Sequence, residues 1–81
     1  IQDYTEVIRL NPKDASAYFY RGLASAKIGH RMEAIADLRQ ASQLFSTQGD
    51  TPNYQQALNA LKKLHKTLVI GEASKPLVSG V

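Results

Sequence analysis

The sequence predicts an all-α fold built from antiparallel helical hairpins. Apolar residues recur every three or four positions through four stretches, and short links carrying Pro, Gly or Asp separate those stretches. No segment alternates apolar and polar residues for more than a few positions, and no hairpin dipeptide occurs, so the period of two that a strand needs is missing.

The first helix covers residues 1–10, with Ile1, Tyr4, Val7 and Ile8 at helical spacing among Asp3, Glu6 and Arg9. Asn11-Pro12 stops it, because the residue before a proline is pushed out of the α region. Asp14 is placed to cap a second helix over residues 15–28, its carboxylate taking free amide protons of the first turn. Gly29 supplies the left-handed residue that ends it. A third helix over residues 31–45 carries Met32, Ile35, Leu38 and Phe45 on one stripe, flanked by Ala34, Ala41 and Leu44. His30 stands at its cap position and is a poor capping residue. Residues 46–50 read as a loop. Thr51-Pro52 then opens a fourth helix, with a hydroxyl cap and proline at the first helical position. Tyr54, Ala57, Leu58, Leu61, Leu64 or His65, and Leu68 form its apolar face, opposite Gln55, Gln56, Asn59, Lys62, Lys63 and Lys66. From Gly71 the pattern dissolves, and residues 71–81 read as a flexible tail.

At 81 residues the chain holds one domain at most, and without cysteine neither a disulfide framework nor a zinc-thiolate site is available to reinforce it. A hydrophobic share of 43% is too high for a disordered chain. Apolar runs such as Leu68-Val69-Ile70 fall far short of the ~20 residues a membrane span needs. No basic-then-apolar leader opens the chain, so the expected location is cytoplasmic; the start at Ile1 suggests a piece of something longer. Six basic residues balance six acidic ones over residues 1–50, whereas Lys62, Lys63, Lys66 and Lys75 face only Glu72 afterwards. All of the excess of +3 therefore sits in the last third.

Shifting the chain by about 34 residues lays Ile1 on Ile35, Asp3 on Asp37, Tyr4 on Leu38, Val7 on Ala41 and Leu10 on Leu44. The opening helix is thus the second half of a repeat, and residues 13–48 form the one complete unit. Tyr18, Gly22, Gly29, Ala34, Ile35, Leu38 and Ala41 in that unit resemble the signature of the tetratricopeptide repeat family. They match its bulky aromatic, close-contact glycine, turn glycine and small helix-contact alanines. The resemblance covers residues 1–66 and implies hairpins stacked as a short solenoid. On this reading residues 1–12 are the second helix of a truncated repeat and residues 49–70 a capping helix. Gly22 and Ala34 lack bulk, so the paired helices approach closely while Tyr18 and Leu38 fill the space on either side. Three departures stand out. Ser25 replaces a larger aromatic, Ser46 stands where a closing proline is usual, and Tyr54–Leu58 repeats Tyr18–Gly22 with leucine in place of glycine. Arg21 is expected to pack its stem and keep its head in water.

The resemblance implies a non-catalytic module for protein–protein interaction, a scaffold with a groove lined by the first helix of each repeat. Here Ser16, Phe19, Tyr20, Leu23, Ala26 and Lys27 would face that groove, and their three- and four-residue intervals put them on one side of the helix. The rival expectation is that the fourth helix or a lost upstream helix buries Phe19 and Leu23. The Lys/Asn clamp of some relatives would fall near Phe19 and Leu23, both apolar here, so a hydrophobic or amphipathic segment is the expected ligand. A different class of function, electrostatic binding of nucleic acid or anionic membrane, would use Lys62, Lys63, His65 and Lys66. No aromatic interleaves with those lysines for stacking on single strands, which argues against it. His30 and His65 offer no metal constellation, no nucleophile elbow or phosphate loop occurs, and Glu33 and Asp37 read as surface charges beside Arg31 and Arg39. No enzyme and no cofactor is expected. With Ile1, Tyr4 and Ile8 bare, the fragment is expected to dimerise or swap helices.

Overall fold

The structure is a computed structural model that describes the backbone of residues 3–80 and the side chains of residues 3–65. Four helices follow in order: α1 Tyr4–Leu10, α2 Ala15–Lys27, α3 Arg31–Thr47 and α4 Thr51–Gly80. Among the described residues there is no strand, and no helix is long and apolar enough to cross a membrane. Helix α4 continues past residue 70, the expected end of the capping helix, through the stretch expected to be a tail, and residue 81 lies outside the described residues.

Local chemistry accounts for most of the boundaries. Asp3 and Asp14 cap α1 and α2, their carboxylates accepting from the backbone N–H of Glu6 at 3.3 Å and of Ala17 at 3.1 Å. Gly29 turns the chain at φ +87°, as its place after α2 requires. His30 makes no side-chain cap bond to α3; its Nδ1 instead faces the Glu33 carboxylate at 3.2 Å. The third helix outruns its expected end at residue 45, and the Thr47 hydroxyl donates back to the Gln43 carbonyl at 2.9 Å. The start of α4 differs in its cap. Gly49, at φ +73°, delivers Asp50 to the helix end, where its carboxylate accepts from the Asn53 N–H at 3.3 Å and from Asn53 Nδ2 at 2.8 Å. Thr51 therefore lies within the first turn and is not the cap.

Contacts between α2 and α3 converge on the turn at residues 28–30. The Gln48 amide donates to the Lys13 carbonyl at 2.9 Å at the far end, Arg21 reaches Asp37 midway, and Gly22 lies against Ala34 and Leu38. The two helices are thus antiparallel. A Cβ built on Gly22 would stand 3.2 Å from the Ala34 carbonyl oxygen and 3.0 Å from Leu38 Cγ, so the close approach depends on the missing side chain. Leu38 and Ala34 are fully buried there. A second cluster joins Ala15 of α2, Ala41 and Phe45 of α3 and Ala57 of α4, with Tyr18, Phe19, Leu44 and Tyr54 packed around it. Helix α4 runs back along α3, its early residues at Phe45 and its later ones beside Ile35, so α2 and α4 point the same way. The short helix α1 buries no residue and packs on α2. Tyr4 and Ile8, expected to be bare, are half-buried there, and Tyr4 stacks on Tyr20 at 6.1 Å; Ile1 lies outside the described residues.

Candidate functional site

Helix α4 stands over α3 with a cleft on each flank. The first cleft, about 410 Å³, has Leu38 of α3 as its floor, Phe19, Leu23 and Ala26 of α2 as one wall, and Gln56, Asn59, Ala60, Lys63 and Leu64 of α4 as the other. The spacing of Phe19, Leu23 and Ala26 puts them on the inner side of α2. Phe19 is braced by edge-on contacts with Phe45 at 6.3 Å and Tyr20 at 5.3 Å. A cavity of roughly 150 Å³ holds one benzene; this cleft has room for about two or three apolar side chains.

The six expected groove residues are not all brought together. Phe19, Leu23 and Ala26 line the cleft and are half-buried, so α4 walls them without sealing them. Ser16 and Lys27 are exposed and line neither flanking cleft; they stand at the two ends of α2. Tyr20 is half exposed and turns toward α1, where it meets Tyr4. The basic set is divided as well. Lys62 and His65 line the cleft on one flank of α4, and Lys63 lines the cleft on the other. Side chains one residue apart on a helix diverge by about 100°, so they do not form one face. Lys66 lies outside the residues whose side chains are described.

The largest departure from expectation is Asp37. It is 8% exposed, where a surface charge was expected, and it accepts two hydrogen bonds from Arg21, from Nε and Nη2, each at 2.8 Å. Arg21 Nη1 also donates to Thr5 of α1 at 3.3 Å, and the guanidinium lies 5.8 Å from the Tyr18 ring centre. The head of Arg21 is therefore held against protein and ties three helices together. Its hydrogen bond with Asp37 raises the Arg21 pKa against the opposing effect of burial. The guanidinium already stays charged throughout the working pH range, so raising pH through that range does not remove its half of the pair. The signal available in the sequence was register: positions 21 and 37 lie about equally far from the turn at Gly29. His30 likewise has a carboxylate one turn on, Glu33, and the two pair on the surface. Among the described residues no group of three metal-ligating side chains assembles.

No protein-family model, no curated protein and no solved structure matches the chain.

Proposed function

We propose that this chain is a non-catalytic docking module, a fragment of a tetratricopeptide-type scaffold, that holds an apolar segment of a partner protein between α2 and α4. The observation that carries the proposal is the cleft in which Phe19, Leu23 and Ala26 face α4 across Leu38. Two helices pointing the same way over a third form a trough in which side chains at three- and four-residue spacing accept the apolar face of a helix or extended segment. The Gly22–Ala34 contact and the left-handed Gly29 support the family reading, since they occur where its close-contact and turn residues belong. Leu58, in place of a second glycine, supports a capping role for α4.

Affinity capture with the intact chain and with Phe19→Glu tests the reading. A partner retained by the first and lost by the second, with helicity unchanged by circular dichroism, is the expected outcome; equal retention by both rejects it. Salt separates the electrostatic alternative, because phosphate binding falls steeply between low and moderate salt whereas apolar docking does not. Self-association is proposed as well, now through Leu10, Ile28 and Met32, each more than two-thirds exposed, in place of Tyr4 and Ile8, which are half-buried. A sedimentation profile of a clean monomer at high concentration rejects that part.

A further inference from the structure

The other flank of α4 holds a second cleft of different chemistry. Met32, Ile35 and Arg39 of α3 and Leu61, Lys62 and His65 of α4 enclose about 530 Å³. On α3 the three positions recur at intervals of three and four residues and share a side, and on α4 Leu61 and His65 lie about one turn apart with Lys62 next to them toward the rim. Among the described residues half of this lining is apolar and half is basic, and none of it is acidic. Met32 is 68% exposed at its edge, an adaptable apolar side chain presented to solvent.

The acidic side chains among the described residues are committed elsewhere. Asp3, Asp14 and Asp50 cap helices, Glu6 pairs with Arg9, Glu33 with His30 and Asp37 with Arg21. Those six are every carboxylate side chain among the described residues. Arg39 and Lys62 consequently have no acidic partner among the described residues, and both stand at the mouth of an apolar recess. A ligand that matches must offer apolar groups to the floor and negative charge to the rim.

We infer that the α3–α4 cleft docks an acidic amphipathic helix of another protein. Two or three apolar side chains one turn apart enter between Ile35 and Leu61, and flanking Asp or Glu side chains reach Arg39 and Lys62. A helix fits because both walls are helices whose lining recurs at three and four residues, which is how such ligands are read. Nucleic acid does not fit: the lining has no aromatic for stacking among the described residues, and phosphates would leave Met32, Ile35 and Leu61 unused. This site is separate from the α2–α4 cleft and stands or falls without it.

The test is fluorescence anisotropy with the intact chain and a labelled helical peptide of about 18 residues, long enough to hold helix in water. Its leucines sit at i, i+3 and i+7 with glutamates beside them; a second peptide has lysines in place of the glutamates. The glutamate peptide binds, the lysine peptide binds at least about tenfold more weakly, and added salt weakens the glutamate peptide. Lys62→Glu and Arg39→Glu, both exposed positions, each weaken it by about three- to tenfold, while Lys27→Glu, an exposed charge reversal that lines neither cleft, leaves it unchanged. Equal binding of both peptides, or binding lost in Lys27→Glu but kept in Lys62→Glu, overturns the inference. So does binding to vesicles of phosphatidylcholine with phosphatidylserine through Arg39 and Lys62 when the peptide does not bind. A dimer that Lys62→Glu dissolves, again with no peptide binding, assigns the cleft to a second copy of the chain and likewise overturns it.

Discussion

Helix α3 makes two contacts of opposite character. Toward α2 the glycine at position 22 lets the backbones close on the Ala34 carbonyl, Leu38 is fully buried, and the partly buried Arg21–Asp37 pair locks the register. Toward α4 the contact is tight around Ala41, Phe45 and Ala57, and then a cleft opens on each flank. Position 58, which repeats position 22 in the Tyr-to-small spacing, is leucine. The missing side chain at Gly22 lets α2 and α3 close on each other, whereas the contact of α3 with α4 leaves a cleft on each flank.

The comparison is broken most strongly at Leu38, which touches Gly22 in the sealed contact and floors the open cleft. Leu38→Ala is expected to cost about 2–5 kcal/mol in chemical denaturation and to weaken ligand capture as well. Gly22→Leu or Ala34→Phe overpacks the sealed contact alone, at about 1–3 kcal/mol or more, and lowers Tm by several degrees. Unchanged melting in either variant would contradict the close approach. A double-mutant cycle of Arg21→Ala and Asp37→Ala sharpens the role of the ion pair. The expected coupling is about 1–2 kcal/mol, below that of a fully buried pair because the Arg21 side chain is 32% exposed. Coupling near zero would reduce the pair to a surface contact. The smallest effect separates the two candidate caps of the open helix. Asp50→Ala is expected to cost about 1 kcal/mol and Thr51→Ala only a few tenths. The reverse order would return the cap to Thr51.

The limits of α2, its aspartate cap, the left-handed Gly29 and the meeting of Gly22 with Ala34 were all legible in the residues. Each depends on neighbours within one helical turn or on the loss of bulk at a spaced pair. The Asp50 cap was not, because Thr51-Pro52 is an equally good local start, and the turn at Gly49 decides between them. Half of the groove was legible. Phe19, Leu23 and Ala26 share the inner side of α2, whereas Tyr20 is drawn to Tyr4 by where α1 packs. Asp37 and Arg21, sixteen residues apart, become partners only once the hairpin register is set. The second cleft needs α4 beside α3 before Arg39 and Lys62 share a rim.

Helix number, the limits of α2 and the site of closest approach thus belong to the sequence by itself, since periodicity, caps and side-chain volume act over a few residues. The pairing of charges, the division of the lysines between two flanks and the existence of two clefts were decided by tertiary structure alone. Those properties depend on which faces of separate helices are brought within a few ångströms, and no local pattern carries that distance.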